Sequence, residues 1–260
     1  MLLDTQNKHQ RDTIITFDEP THKYYINENL VGTSVTTFIH SLFPHFDAEG
    51  MAEKIANGRC KAQTKMKYEG MSKEDIINKW NFDGKLSSEA GTKMHEDIEY
   101  YFNNEPREND SIEYQYFKNF LKSDFMKNLE AYRTEWVVYD QELDIAGSID
   151  MVFYNKLDKS YEIWDWKRSK GIQRNNKFEN GYEPLQHLEH CNYWHYSLQL
   201  NFYKYLLEKN YGIKISSMHL LVLHPNNENN NFIEITAPDL SKEVELIVQH
   251  RLNLLKKKLK

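Results

Sequence analysis

Polar positions are set among runs of apolar, β-branched and aromatic residues over 133–139, 143–154 and 161–168, which predicts three consecutive strands. In the second, Ser148, Asp150 and Val152 share one face. In the third, Tyr161, Ile163, Asp165 and Lys167 share one face, while Trp164 and Trp166 point the other way. Large apolar residues flank the charges of this third strand, the mark of a buried central strand. Residues 216–224 read as a further buried strand and 232–236 as an edge strand. Residues 13–27 read as a hairpin around Asp18-Glu-Pro-Thr.

A helical period fills much of the rest. Ser34 caps a short helix through Leu42, stopped by Pro44, and residues 47–57 form another. A helix begins at Ser72 with Glu74 and Asp75 in its first turn. A separate one, capped by Ser87 or Ser88, runs to about Tyr101. Residues 111–128 form an aromatic-rich amphipathic helix, residues 193–209 another, and Pro238 opens a last helix with a basic end. Residues 171–186 carry neither period and read as a mobile loop that orders around substrate. Tyr68 and Trp80 could stack on unpaired bases, with core packing the plainer reading.

The paired strands would bring Asp150, Asp165 and Lys167 to one end of a sheet. Two carboxylates there suit a hard divalent cation, and a lysine beside them can orient water or balance phosphoryl charge. Taken alone, an alternating Asp-x-Lys also fits an exposed ion pair; the apolar surroundings weigh against it. His95 and Glu99, four apart, lie on one face of their helix, as do Gln199 and Tyr203.

Composition sets bounds. The chain has 260 residues and 40% hydrophobic content, enough for one large domain or a core with an appendage. Mean hydropathy is -0.78 and no apolar run nears membrane-spanning length. The polar amino terminus resembles neither a secretory signal nor a transit peptide, so a soluble intracellular protein with no membrane partner is expected. A net charge of -6 excludes a surface coated in cations. Cations are instead local. Residues 54–68 hold Arg59, Lys61, Lys65 and Lys67 and read either as a solvated face or as a phosphate-contacting arm; Arg168, Lys170 and Arg174 follow the third strand. His187, His190, Cys191 and His195 match a zinc set by type, but their spacing fits no standard finger, and they read as histidines of a substrate-facing loop. No G-x-x-x-x-G-K-[ST] loop is present, so ATP is not expected.

Gly147-Ser-Ile-Asp150 followed by Asp165-Trp-Lys167 resembles motifs II and III of the PD-(D/E)XK nuclease superfamily. Upstream, Gly91-Thr-Lys-Met-His95-Glu-Asp-Ile-Glu99 and, downstream, Gln199-Leu-Asn-Phe-Tyr203 resemble the helical motifs of its RecB-like branch, in the same order. The resemblance covers roughly residues 86–223. It implies an α/β fold with a restriction-endonuclease-like core, a central mixed sheet flanked by helices. Residues 1–85, with the hairpin and helices, would form a substrate-access region, and residues 86–260 the nuclease core. It further implies Mg²⁺ or Mn²⁺ held by His95, Asp150, Asp165 and the carbonyl of Trp166, with Glu99 as ligand or support. Lys167 would position the attacking water, and Gln199 and Tyr203 would orient it. Glu135 sits where the family often has a glutamate that could face the site. Some members of the branch hold an iron–sulfur cluster on four cysteines; this chain has two. The implied activity is a DNA exonuclease acting on single strands or ends, similar to stand-alone viral, phage and mitochondrial-genome-maintenance enzymes. The alternatives are an endonuclease acting on RNA or structured DNA, and a non-catalytic nucleic-acid-binding module.

Overall fold

The computed structural model describes residues 2–107 and 109–258. Its helices are α1 (Leu3–Gln6), α2 (Val35–Ser41), α3 (Ala48–Ala56), α4 (Ala62–Lys67), α5 (Lys73–Phe102), α6 (Ile112–Leu121), α7 (Asn192–Leu206) and α8 (Ser241–Lys258). Its strands are β1 (Ile15–Asp18), β2 (Lys23–Ile26), β3 (Asn29–Leu30), β4 (Thr33–Ser34), β5 (Leu129–Asp140), β6 (Ile145–Asn155), β7 (Ser160–Lys167), β8 (Ile215–Val222) and β9 (Ile233–Thr236). No described helix is long and apolar enough to cross a membrane. Residues 259 and 260 of the basic tail lie outside the described residues.

The chain forms two compact units, one of Met1–Pro44 with Met94–Lys260, the other of His45–Lys93. The expected boundary at 85/86 falls inside α5, and the first 44 residues belong with the sheet. Their side chains explain this. Asp12 accepts from Arg133 Nη1 (2.7 Å) and Trp136 Nε1 (3.0 Å) of β5, and β4 pairs with β6.

The larger unit is a six-stranded mixed sheet of order β4-β6-β7-β8-β9, with β5 pairing along β6. β6 and β7 are antiparallel, β7 and β8 parallel. Helices cover both faces. Val152 and Ile163 pack with Phe38 of α2, Phe202 of α7 and Ile247 of α8. Met151, Phe153, Trp164 and Trp166 pack with Ile98 and Phe102 of α5 and Phe117 and Phe120 of α6. This is the restriction-endonuclease-like α/β architecture. The alternation of β6 is not continuous: Ile149 and Val152, three apart, enter the same cluster. The irregularity lies beside Glu135 of β5, whose φ is +41°, a conformation that side chains other than glycine adopt at a cost.

The smaller unit packs Ala52, Ile55, Tyr68 and Ile76 around α3 and the start of α5. Asp47 caps α3 by accepting from Gly50 N, and Ser72 and Asp75 cap α5 reciprocally. Tyr68 and Trp80 pack on each other, the indole donating to the phenol oxygen at 2.8 Å.

Three expectations are corrected. Ser87 and Ser88 cap nothing; α5 is one helix of 30 residues. Serine and glycine cost a helix interior only tenths to about 1 kcal/mol each, and apolar packing at Ile76 and Ile98 outweighs that. The helix expected over 111–128 stops at Leu121, followed by a 3-10 turn at Asp124–Asn128. The loop over 171–186 is tied down: Leu185 is buried, Tyr182 N donates to Leu42 O (2.7 Å), and Asn180 Nδ2 donates to Gln186 O (2.7 Å).

Candidate active site

The site lies at an interruption in strand pairing. β5 occupies one edge of β6 along its length. The other edge pairs with β7 from Asn155 to Met151 and with β4 at Ile145 and Ala146. Between them, residues 147–150 have no strand partner on that edge. There Asp150 replaces the ladder with its side chain: Trp166 N donates to Asp150 Oδ2 at 2.8 Å.

His95 reaches the same place from α5. Its Nε2 donates to the Trp166 carbonyl at 3.0 Å, which can only accept, so the ring is held with Nδ1 turned toward carboxylates. Nδ1 stands 3.6 Å from Asp150 Oδ2 and 3.7 Å from Glu135 Oε1. One ligand atom each from His95, Glu135 and Asp150 lie within 4.8 Å of one another, the only such group among the described residues. Ser148 Oγ donates to Glu135 Oε2 at 2.9 Å and orients it.

Asp165, expected to be a ligand beside Asp150, stands outside that group. Its Oδ2 lies 2.6 Å from Lys167 Nζ, and the ammonium also sits 4.9 Å from the ring of Tyr196. The Trp166 carbonyl, another expected ligand, is taken up by His95. Glu99 borders a cavity of about 500 Å³ that Glu135, Asp4, Asp12 and Arg133 also line. Burial, then Tyr24, Asp150 and Asp165, hold the Tyr203 phenol well above the usual tyrosine range, against the pull of Gln199, and Tyr203 packs on Gly147. A Cβ at Gly147 would come within 2.8 Å of Tyr203 Cε1 and Oη, so the glycine of the Gly-Ser-Ile-Asp run is required by the tyrosine of α7. Gly147→Ala is expected to destabilise the protein by about 1–3 kcal/mol through overpacking. The double variant with Tyr203→Ala should recover part of that loss in thermal melts, and strict additivity of the two would show that they do not touch.

The charges are strongly coupled. Burial lowers the His95 imidazole, but Asp150 and Glu135 outweigh it and push it up to about 9. Burial, then Glu135, raises Asp150, against the pull of His95 and Lys167. Burial lifts Asp165 to about 6 despite Lys167. Burial lowers Lys167, but Asp165 and Asp150 more than reverse this, and it stays protonated. Burial, Glu135 and its neighbours raise Glu99 to about 6.

The donor set fits a divalent cation. Two carboxylates and one imidazole within 4.8 Å of one another, with His95 Nδ1 3.6 and 3.7 Å from the two carboxylates, suit Mn²⁺ or a partly hydrated Mg²⁺. To hold a cation, His95 would have to be neutral with Nδ1 unprotonated.

Tyr196 and Tyr24 were not anticipated. Tyr196, Gln199 and Tyr203 follow an i, i+3, i+7 spacing on one face of α7, a signal already in the sequence. Burial, Glu135 and Asp150 push the phenol of Tyr24, from β2, up to about 12, and nothing local to the hairpin announces this placement. Of the expected backbone-binding cations, Arg59, Lys61, Lys65 and Lys67 are exposed in the smaller unit, and Lys170 and Arg174 are exposed after β7. Arg168 is held by Glu113 at 2.7 Å, which withdraws it from that role. Of the histidine cluster, His187, His190 and Cys191 lie in the loop before α7 and His195 does not. His195 lies in α7, stacked between His40 and His190 against Phe43 (4.1 Å), while His187 pairs with Glu243.

Among curated proteins none matches the chain. The crystal structure of SSO0001 aligns over 97% of this chain and 82% of its own, at 14% identity and a TM-score of 0.30. The family model described as PD-(D/E)XK nuclease superfamily matches residues 37–258. With that match over most of its length, and with Asp150, Asp165 and Lys167 gathered at one end of its sheet, the chain belongs to the PD-(D/E)XK nuclease superfamily.

Proposed function

We propose that this chain is a Mg²⁺- or Mn²⁺-dependent DNA nuclease of the RecB-like branch, acting as an exonuclease on single strands or ends. The observation that carries the reading is the group of His95, Glu135 and Asp150 within 4.8 Å, beside the Lys167–Asp165 pair. Members of the superfamily are usually metal-dependent nucleases. When bound, the cation lowers the pKa of a water and balances charge on the phosphodiester.

Asp150, Glu135 and His95 through Nδ1 would hold that cation, with Glu99, one turn from His95 on α5, as a further ligand or support. Lys167 is protonated, so it orients the attacking water and stabilises charge on a phosphoryl oxygen rather than taking a proton. Asp165 and Tyr196 position Lys167. Gln199 and Tyr203 brace the open edge of β6. The exposed Arg59, Lys61, Lys65, Lys67, Lys170 and Arg174 take backbone phosphates.

Linear single- and double-stranded DNA labelled at either end, and closed single-stranded circles, are the test substrates. Linear DNA should be degraded with Mg²⁺ or Mn²⁺ and left intact in EDTA, and circles should resist. Cleavage in EDTA would remove the metal from the mechanism; cleavage of circles would turn the exonuclease into an endonuclease.

A further inference from the structure

Residues 168–191 leave Lys167 at the end of β7 and return to it, because Tyr196, in the second turn of α7, contacts the same ammonium. The segment is therefore anchored beside the candidate site at both ends. Its first half is cationic: Arg168, Lys170, Arg174 and Lys177 precede Phe178 with no acid among them. Arg168 is held by Glu113, leaving Lys170, Arg174 and Lys177 exposed, with Arg174 over the ring of Tyr193 at 4.7 Å.

Phe178 follows these cations with 94% of its surface exposed, and Tyr182, four residues on, is 53% exposed. The backbone on either side of Phe178 is clamped. Phe178 N donates to Asn176 Oδ1 (3.1 Å), Asn176 N donates to Glu189 Oε2 (2.6 Å), and Asn176 Nδ2 donates to His190 O (2.7 Å). His190 N donates to Glu179 O at 2.8 Å, and Tyr182 N is bonded to Leu42. A phenyl ring is thus presented to water by an ordered loop, after a stretch with three exposed cations and directly before Glu179. Exposed aromatic rings combined with nearby cations in the chain are the elements from which single-strand binding surfaces are built. The occupant must offer a flat apolar face to the ring and anions to the flanking lysines and arginine, next to the proposed phosphodiester chemistry. An unpaired nucleobase with its neighbouring phosphates meets all three conditions, whereas paired bases keep their faces inside the duplex.

We propose that Phe178 is a stacking platform for an unpaired base of single-stranded nucleic acid, with Lys170, Arg174 and Lys177 taking the adjacent phosphates. The proposal rests on the nuclease reading and names how that site selects single strands. Affinities of the full chain for labelled single-stranded and blunt duplex oligonucleotides, measured by anisotropy in EDTA at one salt concentration, test it. Phe178→Ala should weaken single-strand binding about 5- to 150-fold and leave duplex binding nearly unchanged, while Phe178→Trp should keep the parental affinity. The parent should quench 2-aminopurine in a single strand and Phe178→Ala should not. With its ring in solvent, Phe178→Ala should melt like the parent. Equal affinity of Phe178→Ala and parent for single strands, or equal losses on both substrates, overturns the proposal. If the parent cleaves DNA while Phe178→Ala binds unchanged, the platform alone is refuted; a parent that neither binds nor cleaves removes the nuclease reading as well.

Discussion

Lys167→Ala is expected to slow metal-dependent DNA cleavage roughly a thousand-fold while leaving the protein folded. The ammonium is the charge nearest the proposed reaction that is neither a carboxylate nor a metal ligand, held 2.6 Å from Asp165. Its loss leaves Asp165, 3% exposed, without a counter-charge. That would be costly for an obligate anion. Burial has already lifted this carboxyl to about 6, however, so it takes up a proton instead. The fold thus tolerates the change, and the loss falls on the chemistry. Lys167→Arg should not restore the rate, because a planar fork cannot occupy the place of a compact ammonium between Asp165 and the Tyr196 ring. Single-turnover cleavage beside a thermal melt makes the check. A Lys167→Ala protein that cleaves as fast as the parent would leave the lysine no part in the reaction.

Trp164→Ala should do the reverse, damaging stability and sparing chemistry. The indole is fully buried, packs against Phe120 at 4.9 Å and stacks on His219 at 4.2 Å, and its Nε1 donates to Glu162 Oε2 at 3.0 Å. Truncation leaves a large cavity and one buried carboxylate oxygen short of a donor, so a loss of about 3–5 kcal/mol is expected. For a chain of this size that is a fall of roughly 10 °C in Tm. Trp164 points to the face of β7 opposite Asp165 and Lys167, so cleavage per folded molecule should be kept. A melting shift of under about 2 °C, or a selective loss of cleavage at full stability, would contradict this division of the strand into a packing face and a reacting face.

That division was legible from residues alone, because a strand's side chains alternate whatever surrounds it: Trp164 and Trp166 against Ile163, Asp165 and Lys167. So was the face of α7 carrying Gln199 and Tyr203, and the stacking of His95 and Glu99 one turn apart on α5. Period sets which neighbours share a face, and it survives folding.

What the amino-acid order determined, then, was which side chains travel together: Asp165 with Lys167, Gln199 with Tyr203, Asp150 behind Gly147. Which groups meet across elements was left to the tertiary structure. Glu135 joins His95 and Asp150 through a local distortion of β5 at φ +41°. Asp165 turns to Lys167 instead of the cation group. Tyr24 arrives from a hairpin more than 100 residues before Glu135 and Asp150. The unbroken α5 and the tethering of the loop after β7 are of the same kind. These depend on packing between segments far apart in the chain, and no local periodicity encodes the distance between two side chains that meet only when the sheet and its helices close on each other.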